Sequence, residues 1–282
     1  MRRWHLVGIL VALVGLATTA VADNVRKTAE GSMLVTGSVE VNPDGTLHGY
    51  SLDQAEKLPP EVVGVIGKSI ATWEFKLSGA ARDVVKAKMN LRVVAKPAGN
   101  GKYLVGVAGS SFGDTGENTP SITAKDRIQP TYPRMAMESR VSGTVYLLLR
   151  VGRDGTVEDA IAEQVNLEQY ATPLVMEKLR NAFAKASLDA ARHWTYNVPT
   201  TGATANDPYW VVRVPVNYYL NFNGSDIVKH SYGQWDAYIP GPRQTAPWIN
   251  KELASQLPDA TPDGSLATGN SPIQLATQLG GT

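Results

Sequence analysis

The stretch from Gln129 to Leu220 decides the fold of this chain. It opens with Gln129-Pro130-Thr131-Tyr132-Pro133 and continues with Val141-Ser142-Gly143-Thr144-Val145-Tyr146-Leu147-Leu148-Leu149-Arg150-Val151. The alternate residues of the second run, from Val141 to Val151, predict a β-strand with one buried face. Arg153-Asp154-Gly155-Thr156 then has the composition of a tight turn, and it leads into a second strand from Val157 to Gln164. The stretch therefore begins as a hairpin.

A long helix follows the hairpin. Thr172 is a candidate N-cap, and Pro173 suits the first helical position because its missing N–H would have no partner there. One apolar stripe predicts the buried face of this helix: Val175, Leu179, Ala182, Phe183, Ala186 and Ala190. Trp194 follows as a core residue, and alternation resumes in a closing strand. We predict an α+β module in which a small antiparallel sheet packs on one long helix.

A weaker copy of the same pattern precedes this module. The matched pairs are Val35-Thr36-Gly37-Ser38-Val39 with Val141-Ser142-Gly143-Thr144-Val145, Asp44-Gly45-Thr46 with Asp154-Gly155-Thr156, Trp73-Glu74-Phe75 with Trp194-Thr195-Tyr196, and Leu91-Arg92-Val93 with Val212-Arg213-Val214. The interval from tryptophan to arginine is the same in both copies. We interpret this as an internal repeat of two modules, each a three- to four-stranded antiparallel sheet packed on one long helix. Chance similarity between two hairpin-helix-strand units is the alternative.

The segments outside the modules differ in composition. We divide the chain into a signal segment (1–22), a spacer (23–32), a degenerate first module (33–113), a linker (114–126), a second module (127–222) and a tail (223–282). In the tail we expect the aromatic and proline-rich part to fold back on the modules. The Ser-, Thr-, Pro-, Gly- and Ala-rich end is predicted to be disordered.

The first 22 residues have the pattern of a secretory signal peptide. Arg2 and Arg3 precede an apolar run from Leu6 to Ala17, and Ala20-Val21-Ala22 offers a small-x-small cleavage site. Cleavage before Asp23 would place the mature protein in the periplasm. The alternative is an uncleaved anchor in the inner membrane, because the segment is marginally long enough to span a bilayer.

Composition excludes several classes of function. The 27 Lys and Arg residues nearly cancel the 26 Asp and Glu residues, so no nucleic-acid-binding surface is expected. The absence of cysteine excludes thiolate metal sites and cysteine nucleophiles. The four histidines are scattered without metal-ligand spacing, so we expect neither a metal nor a cofactor.

One short motif formally points to an enzyme. Gly109-Ser110-Ser111-Phe112-Gly113 matches the G-x-S-x-G nucleophile elbow of hydrolases. The elbow requires a helix directly after the serine, whereas a linker rich in glycine, asparagine and proline follows here. We therefore predict that the protein is not an enzyme, and we keep a serine hydrolase that uses Ser111 as an unfavoured alternative.

The second module resembles the C-terminal domain of the TonB family, periplasmic adaptors that grip outer-membrane receptors. The resemblance is carried by Gln129-Pro130-Thr131-Tyr132-Pro133, Ala136, the Val141-to-Val145 run, the Asp154-Gly155 turn, Trp194 and Val214-Pro215-Val216. In that family, a short N-terminal box of the receptor pairs with the exposed last strand near the glutamine. The resemblance implies these partner-binding residues: Gln129, Tyr132, Arg213, Val214, Val216, Asn217, Tyr218 and Leu220.

Strand physics gives the same expectation independently of the family. A strand-helix-strand crossover places the third strand beside the first and leaves it at the sheet edge. An edge strand presents unpaired N–H and C=O groups to which an extended peptide can be added. Pro215 lacks one donor and is expected at such an edge. By side-chain parity, Arg92 and Arg213 are expected on the outer face of their sheets as solvated charges.

The sequence also departs from an energy-transducing TonB. It has no long proline-rich spacer, its apolar segment lacks a serine-histidine pair, and the signal pattern indicates that this segment is removed. These departures argue against coupling to ExbB and ExbD. The leading hypothesis is a periplasmic adaptor that binds an outer-membrane receptor or another envelope protein by strand addition, with a role in energy-coupled transport left open. A structural envelope protein that forms a homodimer through its edge strands is the alternative.

Overall fold

The computed structural model describes residues 27–77, 82–113, 121–202, 204–220, 231–249, 267–268, 273–277 and 279. It is an α+β protein whose sheets are antiparallel throughout the described pairings, which confirms the predicted α+β class. None of the helices found in these ranges is both long and apolar enough to cross a membrane. The predicted signal segment, residues 1–22, lies outside the described residues.

The first half of the structure comprises residues 30–113. Its elements are β1 (Glu30–Val41), β2 (Leu47–Leu52), a 3-10 turn (Ala55–Lys57), α1 (Pro60–Ile70), β3 (Phe75–Leu77), β4 (Val85–Pro97) and β5 (Tyr103–Gly113). The main sheet has β1 and β4 at its centre, with β2 on the outer side of β1 and β5 on the outer side of β4. Helix α1 begins with Pro60 and buries Val62, Ile66 and Ile70.

The second half comprises residues 123–218. Its elements are β6 (Thr123–Asp126), α2 (Arg134–Glu138), β7 (Gly143–Gly152), β8 (Val157–Leu167), α3 (Pro173–Ala191), β9 (Thr195–Asn197) and β10 (Tyr209–Tyr218). Strand β7 lies between β8 and β10. Helix α3 covers this sheet and buries Met176, Leu179 and Phe183. The sequence prediction placed Val175 on the buried face, but Val175 is 41% exposed.

Each half encloses its own core of buried apolar side chains. Trp73 and Trp194, the predicted core tryptophans, are 4% and 2% exposed. The first core joins Trp73 to Phe75 and Phe112 in edge-to-face contacts. The second joins Trp194 to residues of β7, α3 and β10. Edge-to-face packing is a favoured geometry of aromatic pairs, so the contacts among Trp73, Phe75 and Phe112 stabilise the first core.

The predicted turns of the two copies make the same contacts. Asp44 Oδ1 accepts hydrogen bonds from Thr46, and Asp154 Oδ1 accepts them from Thr156. Gly45 and Gly155 have φ of +86° and +80°. A Cβ on either glycine would lie 2.3 or 2.2 Å from a backbone oxygen, that of Phe75 or of Tyr196. Only glycine fits there, so these matched positions are structurally equivalent.

The matched arginines are not structurally equivalent. Val41 pairs with Val85, whereas its counterpart Val151 pairs with Trp210. Arg92 therefore lies seven residues after Val85, while Arg213 lies only three residues after Trp210. The equal tryptophan-to-arginine interval was misleading because the second half inserts four more residues before the closing strand.

The tail crosses both halves as short strands. Strand β11 (Asp236–Tyr238) pairs with β1, and the next residue, Ile239, bridges to Leu167 at the end of β8. The aromatic and proline-rich part therefore folds back on both halves, as expected. The prediction of a disordered end is wrong at β13 (Ile273–Leu275), which pairs with β3 and buries Ile273.

The tail adds one short strand to each half, β12 (Ala267–Thr268) to the second and β13 to the first. Strand β5 pairs with β4 of the first half, and the chain then reaches β6, which pairs with β9 of the second half. Strand β12 pairs with β10 of the second half, and the chain then reaches β13 in the first. Ile122 and Ile273 thereby enter the second and the first core, respectively. Each core is completed by a residue from beyond its own hairpin and helix.

The turn at Asp154 gives the fold a pH dependence. Hydrogen bonds from Thr156 lower the pKa of Asp154 below its ordinary value of 3.8. A lowered carboxyl pKa stabilises the fold above pH 3.8, and this contribution is lost as the pH falls through the folded pKa. Asp154→Ala should therefore lower the Tm at pH 7 by more than at pH 2. Equal losses at both pH values would contradict this linkage, and Asp207→Ala serves as the control.

Candidate peptide-binding edge and adjoining cleft

Strand β10 is paired over its whole length on one side only. Its register with β7 runs from Tyr209 opposite Gly152 to Tyr218 opposite Gly143. On its other side, β12 pairs with Val212 and Arg213. No strand in the described part of the chain pairs with that side of Val214–Tyr218, which we call the open edge. The predicted edge position is therefore wrong at Val212 and Arg213, where β12 pairs, and stays a prediction for Val214–Tyr218.

The first half closes the corresponding side of its third strand. Strand β5 pairs with β4 from Lys88 opposite Gly113 to Pro97 opposite Tyr103. The prediction that the third strand is an edge is therefore wrong for β4. The reason is local: Gly99 and Gly101 both have positive φ, at +82° and +71°, and turn the chain back into β5. The halves differ at the very side where strand addition was expected.

Tyr132 packs against Tyr218, at the end of the open edge. The Tyr132 hydroxyl donates to the Val141 carbonyl oxygen at 2.6 Å, and its ring lies 5.4 Å from the ring of Tyr218. Burial raises the pKa of Tyr132 to about 12, so the hydroxyl stays a donor at neutral pH. Tyr132 therefore holds its segment against β10. Gln129, three residues earlier, is exposed.

Three of the predicted site residues have core side chains. Val214, Val216 and Tyr218 are 0%, 7% and 3% exposed, and the Tyr218 hydroxyl lies 2.8 Å from Ser187 Oγ on α3. They face the helix because their parity on β10 matches that of the buried face. A partner can therefore meet them at the edge through their backbone. Leu220, beyond the strand, is half-buried.

The expectation of a solvated Arg213 is wrong. Its side chain is 2% exposed and donates two hydrogen bonds to Glu163, from Nε at 2.8 Å and from Nη2 at 2.6 Å. The Nε atom of Arg243 lies 3.5 Å from Glu163 Oε1. Sequence parity placed Arg213 correctly on the outer face of the sheet. The tail then covers that face, so Arg213 is a structural residue there.

Two further contacts show how the tail covers the outer face. The backbone N–H of Gln244 donates to the Glu163 carbonyl oxygen at 2.7 Å. Trp248 packs on Leu148 and Val211 and donates from Nε1 to Asp159 at 2.8 Å. The tail thus supplies the environment that makes a buried Arg213–Glu163 ion pair possible. No signal in the local sequence of β10 revealed this.

Arg92 is also more enclosed than expected. Its guanidinium lies 5.3 Å from the ring centre of Tyr146 and 5.4 Å from that of Tyr238. Its Nε donates to Ser32 Oγ at 3.1 Å. Tyr146 belongs to the second half, Tyr238 to the tail and Ser32 to the first half. Arg92 therefore joins all three parts of the chain through cation–π and hydrogen-bond contacts.

A cleft of ≈ 130 Å³ lies between the two halves, beside the end of β10. Both sheets and the tail contribute to its lining, which is rich in hydrogen-bonding groups: Ser32, Leu34, Arg92, Thr144, Tyr146, Asn166, Glu168, Pro215, Asn217, Tyr219, Asp236, Ala237 and Tyr238. Thr144 Oγ1 donates to Asn217 Oδ1 at 2.7 Å across β7 and β10. Asn217 is therefore a predicted site residue that also lines the cleft.

Sequence reasoning did not find the cleft. Its lining comes from segments that lie up to about two hundred positions apart in the chain, so no local motif marks it. The available signal was the outward parity of Thr144 and Asn217 on two strands predicted to be neighbours. Thr144 and Asn217 line one cleft only because the two halves contact each other in the tertiary structure.

The structure gives little support to a serine hydrolase that uses Ser111 or to a metal site among the described residues. Ser111 lies within β5, opposite Asn90 of β4, rather than at a turn between a strand and a helix, and the Asn90 amide donates to its hydroxyl at 3.1 Å. Among the residues whose placement is given, no group of three or more His, Asp or Glu side chains could hold a metal ion. The elbow geometry that activates a hydrolase serine is therefore not formed at Ser111.

Comparison of the chain with protein-family models, with curated proteins and with solved structures finds no match. The resemblance to the TonB family thus depends on the Gln129-to-Pro133 motif and the strand pattern that follows it. The open edge, Tyr132 packed against its end and the polar cleft define the candidate site.

Proposed function

We propose that this protein is a non-catalytic envelope adaptor that binds an extended segment of another protein by strand addition to the open edge of β10. The observation that carries the proposal is the lack of a paired strand at Val214–Tyr218 among the described residues. The exposed Gln129 is three residues before Tyr132, whose ring contacts Tyr218. Unpaired N–H and C=O groups at an edge are a template for an added strand. Affinity would come mainly from backbone hydrogen bonds.

The chain's own tail supports this mode of binding. Strands β11, β12 and β13 each add to a strand of one of the halves in antiparallel register. Each is only two or three residues long and comes from far away in the sequence. Short extended segments thus suffice to extend these sheets once other contacts hold them. A partner segment would use the same physics at the remaining edge.

The proposed partner is an outer-membrane receptor or another envelope protein, and the proposed location is the periplasm. Both follow from the resemblance and from the signal pattern of the first 22 residues. Energy-coupled transport is a possible setting of such binding, without coupling to ExbB and ExbD. The missing proline-rich spacer would leave the adaptor unable to reach across the periplasm by itself.

Site-specific cross-linking would test the proposal, because a chain without cysteine permits a single introduced thiol. In Gln129→Cys, a synthetic receptor-box peptide carrying one cysteine should form a disulfide at selected peptide positions. Gln129→Ala should weaken binding by about 5- to 10-fold, the effect of one lost hydrogen bond. Glu177→Cys, on the exposed face of α3, is the matched control.

The proposal fails if no receptor-box peptide binds, or if Glu177→Cys cross-links as readily as Gln129→Cys. The alternative, homodimerisation through the open edge, predicts a disulfide between two Gln129→Cys chains in the absence of peptide. Analytical ultracentrifugation separates the two ideas. A sedimentation coefficient that does not change with concentration fits the adaptor, and a monomer–dimer equilibrium fits the homodimer.

A further inference from the structure

The cleft between the two halves has the side chains of a small-molecule site. Its lining joins three charged residues, Arg92, Glu168 and Asp236, to the side-chain amides of Asn166 and Asn217. We infer that the cleft binds a free small amino acid as a zwitterion. The ligand carboxylate would meet the two amides and the charge of Arg92, and the ligand ammonium would meet the carboxylates of Glu168 and Asp236. This inference goes beyond the proposed function and does not rest on strand addition.

One wall of the cleft is a row of polar side chains across the second sheet. Asn166 of β8 and Asn217 of β10 are both paired in register with Thr144 of β7. All three line the cleft, on the face opposite the buried Val145. Neighbouring strands lie about 4.8 Å apart, so one amide group flanks Thr144 on each side. Strand register therefore brings two side-chain amides to one wall.

Hydrogen bonds within the protein orient these amides. Asn166 Oδ1 accepts from the backbone N–H of Gly241 at 3.2 Å, and Asn217 Oδ1 accepts from Thr144 Oγ1 at 2.7 Å. A backbone N–H can only donate, so the oxygen of Asn166 is the atom that faces Gly241. Neither Nδ2 atom donates to another group in the described part of the chain. Asn166 is only 4% exposed, so the cleft is where its remaining donors meet a ligand.

The opposite wall carries charges of both signs. Arg92 of β4 and Asp236 of β11 lie on the two sides of β1, in register with Leu34 and Ser32 respectively. Glu168, the residue after β8, adds a second carboxylate to the lining. A carboxylate has about four acceptor positions, so Glu168 and Asp236 can accept from an ammonium in addition to their contacts within the protein.

The charges of the lining select a zwitterion over simpler ligands. Two carboxylates oppose an anion that carries no positive group, and Arg92 opposes a cation that carries no negative group. An apolar ligand would leave the amide donors of Asn166 and Asn217 unpaired, which costs binding energy. A molecule with one charge of each sign satisfies both kinds of group.

The size of the cleft limits the ligand to a small amino acid. The cleft measures ≈ 130 Å³, below the roughly 300–1,000 Å³ of sites for drug-sized molecules. A cavity of about 150 Å³ is known to hold benzene. Glycine, alanine and serine are of comparable size to benzene, so we take them as the probes.

The first test compares free amino acids with analogues that lack one charge. Glycine, alanine and serine, the last two in both hands, are added to the ¹⁵N-labelled full chain. The side-chain amide NMR signals of Asn166 and Asn217 should shift, while those of the exposed Asn197 should not. Alaninamide lacks the carboxylate and N-acetylalanine lacks the ammonium. Each should bind about 10- to 100-fold more weakly than alanine, the effect of one lost hydrogen bond to a charged group.

Three results of this comparison would overturn the inference. The first is that no free amino acid shifts the signals of Asn166 and Asn217. The second is that either analogue binds as tightly as alanine, and the third is that glycerol, a neutral polyol, does so. None of these results bears on strand addition, which the cross-linking of Gln129→Cys tests separately.

The second test reverses one donor of the cleft. Asn217→Asp keeps the shape of the side chain and an acceptor for Thr144 Oγ1, but it places a carboxylate where the ligand carboxylate is expected. Binding of alanine should fall by at least about 10-fold, and the rise of the Tm with alanine concentration should be lost. Asn197→Asp adds the same charge at an exposed position outside the cleft and should bind like the unaltered chain.

Unchanged binding by Asn217→Asp would overturn the site, provided that the circular-dichroism spectrum shows a folded chain. If this variant does not fold, the comparison of analogues on the unaltered chain still decides the question.

Discussion

Replacing Glu163 with glutamine should lower the free energy of unfolding by about 3–5 kcal/mol, because it removes a buried carboxylate that is paired with a buried guanidinium. The Arg213 side chain is 2% exposed and its two hydrogen bonds to Glu163 are both under 3 Å, at 2.8 and 2.6 Å. Arg243, whose Nε lies 3.5 Å from Glu163 Oε1, is itself a cation, so it cannot supply the negative charge that Glu163 loses. Urea denaturation at pH 7 gives the measurement.

Two further variants separate the burial effect from charge loss in general. Glu158→Gln removes the partner of Arg150 in an ion pair whose side chains are 43% and 32% exposed, so we expect a loss below about 1 kcal/mol. Glu163→Leu combined with Arg213→Met should recover most of the stability, because an apolar pair needs no desolvation of charge. A Glu163→Gln variant no less stable than Glu158→Gln would show that water reaches Arg213.

Replacing Ile273 with alanine should lower the free energy of unfolding by about 2–5 kcal/mol, although the residue is near the end of a tail of low-complexity composition. Ile273 is 1% exposed and packs in the first core, where β13 adds to β3. Its removal leaves a cavity beside residues more than one hundred and fifty positions earlier in the chain. The measurement is again equilibrium denaturation.

The same chemical change elsewhere provides the controls. Ile128→Ala removes the same atoms from a side chain that is 49% exposed, so its effect should stay within about 0.5 kcal/mol. Ile122→Ala, in the linker strand that completes the second core, should match Ile273→Ala because it is 5% exposed. If Ile273→Ala behaves like Ile128→Ala, the addition of β13 to β3 does not stabilise the first core.

The local patterns predicted much of the fold. The two turns, the hairpins, the buried helix stripes and both core tryptophans could be predicted because each depends on neighbours within a few positions. Gly45 and Gly155 are examples: an aspartate before the glycine and a threonine after it specify the turn, and a backbone oxygen then forbids any other residue. The antiparallel α+β class followed from those elements.

The candidate site was predicted in part. The sequence pointed to β10 and to Gln129. In the structure Gln129 is exposed, and Val214–Tyr218 has no paired strand on one side among the described residues. Arg213 was misjudged because parity reports which face a side chain occupies and cannot report what covers that face. The arginine alignment failed for a related reason, since equal spacing in sequence does not fix strand register.

By itself, the sequence determined which segments become strands, turns and helices, because backbone conformation and side-chain alternation are set by near neighbours. Only the tertiary structure decided the path of the tail. Strand β11 joins the first sheet, Ile239 bridges to β8, and β13 completes the first core. The pairings of β11 and β13 join residues about two hundred positions apart, and two or three backbone hydrogen bonds leave no pattern in the sequence. The buried Arg213–Glu163 pair and the polar cleft both depend on them.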